Sequence, residues 1–275
     1  MPKPYLVVPI GDLHSGGSTA ICPPGARYYG DYDESYNPIL IQTELYNDYK
    51  LCLKWVKQVL KNNDYRLFIL FMGDMVEGVA HHKSRETQGN EESQRDLAVE
   101  LLLPFVNMAD EMVGVWGSEA HVAAEGMGDK GVYKELGCLN VGQNRVVEIN
   151  GRVHHLTHHS STGRQGHTWL GGMQRLLQHE HDMWADEQRA MDQTVRPYDV
   201  IGRAHVHFLT YYDWADKDMA GWWSGSWQMP TQWVNTKHYK NHHIGMLMYS
   251  PKPKGPAWHD IKRFWLRPDE VRVYK

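Results

Sequence analysis

The chain has 275 residues, enough for one large domain or two small ones with a substantial buried core. Hydrophobic residues at 41% and charged residues at 23% exclude a disordered or fibrous chain, and no apolar run is long enough to span a bilayer, so no membrane partner is expected. The formal net charge of −4 excludes a polyanion binder acting through the charge of the whole chain, and leaves anion recognition to local positive charge.

Met1-Pro2-Lys3-Pro4 leads straight into Tyr5-Leu6-Val7-Val8-Pro9-Ile10, which predicts a buried strand and no signal peptide. A loop rich in Gly, Pro and Tyr follows to about residue 36. Asn37-Pro38 reads as a helix cap and first-turn proline. The helix it opens is predicted to reach Asn63, with Ile41, Leu45, Tyr49, Cys52, Val56, Val59 and Leu60 on one face. Leu67 to Met72 is the next buried strand. After a charged loop over residues 81–92, Ser93 reads as the cap of a helix reaching Met112 and bent at Pro104. Val113 to Trp116 is a short strand and Asp129 to Leu136 a short helix. Residues 145–149 and 153–157 form a predicted hairpin around Asn150-Gly151, a favoured type I′ pair. A long polar helix is predicted over 168–194, then strands over 198–202, 209–214, 243–249, 258–266 and 271–274. The order starts βαβαβ and ends strand-rich, which predicts an α/β fold with mixed sheets covered by helices. Residues 1–275 are expected to form one domain. Cys22, Cys52 and Cys138 are isolated, with neither zinc-type pairs nor an even disulfide framework, so a reducing cytoplasm is expected.

Five polar segments, each following an apolar strand-like run, concentrate metal-ligand chemistry: Asp12-Leu13-His14, Gly73-Asp74 with Glu77, Gly117-Ser118-Glu119-Ala120-His121, His158-His159 and His205-Val206-His207. Carboxylates and imidazoles suit a dinuclear hydrolytic centre. On an extended segment, positions i and i+2 point to one side, so Asp12 with His14, and His205 with His207, would each reach a single ion. Asp74 ends the most apolar strand and carries two oxygens with which to bridge two ions. Most of the 17 histidines are surface or core residues, and His154 and His155 fall within a strand.

In this order the segments resemble the calcineurin-like metallophosphoesterase superfamily, whose pattern is D-x-H, G-D-x-x-[D/E], G-N-H-[D/E], a lone His and G-H-x-H. Asp12-His14, Gly73-Asp74 with Glu77, His158 and Ala204-His205-Val206-His207 match, the last with Ala for Gly. The third block departs: Ser118 stands where the family has Asn, Glu119 where it has His, and His121 lies two residues on, a variant similar to phage-encoded members. The resemblance implies a sandwich of two mixed β-sheets flanked by helices, completed by a Trp-rich C-terminal part from about residue 208 that joins the second sheet. It implies two divalent ions, Mn²⁺ first, with Fe, Zn²⁺ or Ni²⁺ as alternatives. The first would be held by Asp12, His14, Asp74 and His207. The second would be held by Asp74, His158, His205 and part of the Ser118–His121 segment, with His159 as the alternative to its neighbour. His121 is the expected acid for the leaving oxygen, or else metal-facing. Ser118, Glu119 and Glu77 are further candidates for ligation or support.

The implied activity is hydrolysis of a phosphoester by in-line attack, as a phosphodiesterase on nucleic acid or nucleotides, in the cytoplasm (the host's, for a phage-encoded chain). A phosphomonoesterase or protein phosphatase is the second reading, and a non-catalytic scaffold that binds a partner is the third. Most of the 11 Trp lie after residue 160, interleaved with Lys and Arg. Core packing or an oligomer interface accounts for them first, and stacking of bases second. Residues 222–227 are the part best suited to line a pocket or partner surface.

Overall fold

A computed structural model describes residues 3–28, 34–78, 90–118, 128–159, 169–191, 198–230 and 242–264. In chain order the elements are β1 (Tyr5–Ile10), β2 (Arg27–Tyr28), β3 (Glu34–Ser35), α1 (Leu40–Asn62), β4 (Arg66–Phe71), α2 (Glu91–Val106), β5 (Glu111–Val115), α3 (Asp129–Glu135) and β6 (Val141–Gly142). They continue with β7 (Asn144–Ile149), β8 (Arg152–Thr157), α4 (Trp169–Met191), β9 (Val200–Arg203), β10 (Thr210–Trp214), β11 (Met219–Trp223), β12 (Ile244–Ser250) and β13 (Trp258–Phe264).

The expected sandwich of two mixed sheets is present. The first sheet has the order β13-β12-β1-β4-β5-β6 and the second β10-β11-β9-β8-β7. Strands β1, β4, β5 and β6 run parallel, as do β8, β9 and β11, while β12, β13, β7 and β10 pair antiparallel. Three apolar layers follow from strand alternation. Leu6, Val8, Ile10, Leu67, Ile69 and Phe71 face α1, α2 and α3. Val7, Phe68, Leu70 and Met72 face the other way, onto Leu156, Val200, Ala220 and Trp222 of the second sheet. On that sheet's far side, Ile201, Met219 and Trp223 pack on Met173, Leu176 and Leu177 of α4. Burial on both faces is why β1 and β4 read as continuous apolar runs; each such side chain contributes roughly 1.5–3 kcal/mol.

Several boundaries differ from expectation. The α1 cap is Ile39, not Asn37, because the Gln42 side chain accepts the Ile39 N–H (3.2 Å) and the Tyr36 hydroxyl (2.8 Å). Asn90, not Ser93, caps α2, accepting from Ser93 N at 2.9 Å. Pro104 lies inside that helix, which ends at Val106, and β5 begins at Glu111, where Phe68 of β4 supplies a pairing partner. The Asn150-Gly151 turn has φ of 52° and 79°, as a type I′ pair requires. The stretch over 219–223, read for its tryptophans, is strand β11. Trp222, Trp223 and Trp227 are all at most 2% exposed, so they fill the core and line no pocket or partner surface. The chain after residue 208 is divided: β10 and β11 extend the second sheet, and β12 and β13 the first. The strand expected over 271–274, the end of the one over 258–266 and both ends of the helix over 168–194 lie outside the described residues. No described helix is long and apolar enough to cross a membrane.

Candidate metal centre

The candidate ligands follow the carboxyl ends of β1, β4, β5, β8 and β9, where loops of the two sheets meet. The β1 and β4 loops continue strand pairing beyond the sheet: Asp12 N donates to Gly73 O (2.9 Å), His14 N to Asp74 O (3.0 Å) and Ser15 N to Met75 O (3.0 Å). Trp227 N donates to Asp12 O, and His243 N to His207 O. Backbone from five parts of the chain therefore fixes these loops.

The local conformation is not the extended one expected. Among the described residues seven non-glycine residues have positive φ, and Asp12 (49°), His14 (49°), Asp74 (52°), His205 (68°) and His207 (54°) are five of them. Left-handed backbone at such residues stores strain, which gathers at functional sites. Asp12 and His14 still meet, with His14 Nε2 3.9 Å from Asp12 Oδ1. His205 and His207, which the i, i+2 spacing alone would send to one ion, part in the way the resemblance implies: His207 turns to Asp12 and His14, and His205 to His158 and His159.

The ligand-type atoms form three adjoining groups, each within 4.8 Å: Asp12, His14 and His207; Asp12, Asp74 and His158; and His158, His159 and His205. In the first, His207 Nε2 lies 3.4 Å from Asp12 Oδ1 and 3.2 Å from His14 Nε2. Asp12 Oδ1 is buried and accepts no hydrogen bond, while Oδ2 accepts the His205 backbone N–H at 3.2 Å. Outer partners aim the rings. His14 Nδ1 faces Glu77 Oε2 (3.0 Å), which also takes the Gln228 side-chain N–H (2.8 Å). His158 Nδ1 donates to Met72 O (2.6 Å). His207 Nδ1 lies 3.1 Å from His242 Nδ1, which also lies 3.3 Å from Gln228 O, and burial with the neighbouring His207 pushes His242 down to about 3. The Glu77 and Met72 contacts at Nδ1 turn Nε2 of His14 and His158 inward, the orientation a metal-ligating histidine takes.

Asp74 joins the halves. Its Oδ1 accepts from Ser118 N (2.7 Å) and Ser118 Oγ (3.1 Å), and its Oδ2 lies 2.9 Å from His158 Nε2. Ser118 therefore holds the carboxylate. Gly73 and Gly117 permit this contact: a Cβ on Gly117 would collide with the Asp74 carboxylate, and one on Gly73 (φ 87°) would sit 2.6 Å from Gly117 Cα. Burial opposes charge on His158, but the Asp74 carboxylate outweighs it and lifts the imidazole to about 10. Burial would raise Asp12, yet His207 and His158 hold it below its ordinary value. The raised His158 marks the negative charge of Asp74 and Asp12 beside it, which a bound cation also satisfies. Mixed carboxylate and imidazole donors, with an orphaned buried oxygen among them, fit divalent transition ions.

Sequence reading missed the support beneath Asp74. Asp129, fully buried at the start of α3, accepts from Asp74 N (2.9 Å) and Gly117 N (2.8 Å) on one oxygen and from Met75 N (2.8 Å) on the other. One turn on, the Tyr133 hydroxyl accepts from Gly73 N and donates to Val115 O. Burial and the Asp74 charge raise Asp129 to about 6. Glu119 and His121 lie outside the described residues.

No family model and no curated relative matches the chain. Among solved structures it is similar to Vps29 complexed with Zn²⁺ from Entamoeba histolytica, at 12% identity and a TM-score of 0.40, covering 94% of this chain and 98% of that one. It is similar to an archaeal phosphodiesterase at 10% identity and a TM-score of 0.41, covering 94% and 99%. It is also similar to Yfce, a phosphoesterase from E. coli, at 12% identity and a TM-score of 0.40, covering 90% and 93%. These likenesses are too distant to carry an argument about this chain's chemistry, which rests on its own residues.

Proposed function

We propose that the chain is a calcineurin-like metallophosphoesterase, a dinuclear metal-dependent phosphoester hydrolase acting as a phosphodiesterase on nucleic acid or nucleotides. The observation that supports it is the junction of ligand groups, in which Asp12, Asp74 and His158 connect the Asp12–His14–His207 set to the His158–His159–His205 set. Asp12, His14, Asp74 and His207 would hold one ion, and Asp74, His158 and His205 the other. Bound there, such ions supply a nucleophile near neutral pH and offset charge on the phosphoryl oxygens. Ser118 keeps the Asp74 oxygens turned between the two sets. Glu77 would keep His14 in its ligating tautomer. His121 is assigned the proton donated to the leaving oxygen, a role worth about 10²–10⁴-fold.

The test is an assay of metal-stripped protein restored with Mn²⁺ against a generic phosphodiester, a phosphomonoester and single-stranded DNA, with Asp74→Ala alongside. Metal-dependent turnover is expected, highest on the diesters, and lost in Asp74→Ala. Turnover that survives Asp74→Ala refutes the site; none on any substrate points to the scaffold reading.

A further inference from the structure

We infer that the two ion positions are chemically unlike, and that His159 completes the second as a three-imidazole site with His158 and His205. This rests on the metallophosphoesterase reading above. The third sequence block lacks the Asn that the resemblance assigns to the second ion. Ser118, which stands in its place, spends both its N–H and its hydroxyl on Asp74. With His121 assigned to the leaving oxygen, the adjacent His158 and His159 are placed to supply a replacement ligand. Only one of that pair was expected to face the ions, yet ring nitrogens of His158, His159 and His205 all lie within 4.8 Å of one another. The ring centroids are 5.2 Å (His158–His159), 5.2 Å (His158–His205) and 4.8 Å (His159–His205) apart.

Backbone accounts for how neighbours in sequence converge. β8 ends at Thr157, and Ala204 N donates to His158 O at 3.1 Å, so the β8 and β9 exits stay paired. Asp12 Oδ2 holds His205 in its left-handed turn. His158 is buried and anchored by Met72 O, with Nε2 inward and 2.9 Å from Asp74 Oδ2. His159 and His205 are exposed, so their rings have room to turn towards His158, a nitrogen of which is already within 4.8 Å of a nitrogen of each. The first position has one imidazole fewer and one carboxylate more. Imidazole donors favour Zn²⁺ over Mn²⁺, and carboxylate donors suit Mn²⁺.

Metal content by elemental analysis and calorimetric titration with Zn²⁺ and with Mn²⁺, on the full chain, provide the test. Wild type should hold two ions and His159→Ala one, with the remaining site's affinity changed by less than about threefold. In wild type one site should favour Zn²⁺ over Mn²⁺ more strongly than the other does, and His159→Ala should remove that site specifically. His179→Ala, which deletes an exposed imidazole on α4, should keep both ions. Two ions of unchanged affinity in His159→Ala overturn the inference alone. Fewer than two ions in wild type overturn it together with the functional reading.

Discussion

At the scale of single residues, the site departs most from ordinary protein structure in its backbone. A left-handed conformation costs an L-residue with a Cβ about 1–2 kcal/mol, and Asp12, His14, Asp74, His205 and His207 all adopt it. Together they take up a sizeable share of the roughly 5–15 kcal/mol by which a domain is stable. Side-chain identity and backbone strain can be separated at His205, which is exposed and held at φ 68° by the Asp12 carboxylate. Both His205→Ala and His205→Gly delete the imidazole, but only glycine adopts the left-handed region without penalty. In urea denaturation under chelator, His205→Gly should be the more stable of the two by ~1 kcal/mol. Equal stabilities would mean that this position is not left-handed in solution. The strain was invisible in sequence. Asp-x-His and His-x-His spacing suggested extended pairs, and one of those pairs serves two different groups. The ligand types themselves were legible, because carboxylate and imidazole chemistry resides in residue identity.

At the scale of elements, α3 acts on the site without reaching it. Its Asp129 and Tyr133, one turn apart, receive backbone N–H groups from the β4 and β5 loops, and so set the distance between Asp74 and Ser118. Hydrogen bonds to a buried carboxylate are worth more than neutral ones, and Asp129→Ala strands three donors. That variant should lose roughly 3 kcal/mol of stability and bind metal about 10–100-fold more weakly, as supports of ligands do when removed. Tyr133→Phe should lose roughly 1 kcal/mol. Chemical denaturation and metal titration check both. An Asp129→Ala protein with wild-type metal affinity would reduce α3 to packing. The short helix was foreseen, yet the role of Asp129 was not, because its partners are backbone amides that carry no residue identity. β11 went unread for a related reason: Met219-Ala-Gly-Trp-Trp has neither alternation nor a β-branched residue, and becomes a strand only because β9 and β10 flank it. Strands β1 and β4 were plain because both of their faces are buried.

At the scale of the whole molecule, the two sheets enclose a layer that contains one imidazole unrelated to the candidate site. His154 of β8 is fully buried between the sheets near Tyr249, 6.0 Å between ring centroids, with Nδ1 3.0 Å from Arg152 O. Burial is the largest influence on it and pushes it down to about 4, against about 6.5 in an unfolded chain. Below about pH 6.5 the unfolded chain gains a proton that the folded one refuses, so stability falls as the pH falls from there towards 4. The limiting slope is about 1.4 kcal/mol per pH unit, or about 3 kcal/mol over the window. His158 cannot produce this loss. Its folded value is raised to about 10, so its contribution is complete below about pH 6.5 and is lost only as the pH rises through about 10. Denaturation under chelator at stepped pH should therefore show an acid limb steeper in wild type than in His154→Leu, by about one proton. An unchanged limb would mean that the layer between the sheets opens to water before His154 is charged, and that the sandwich loosens in acid from its edges inward.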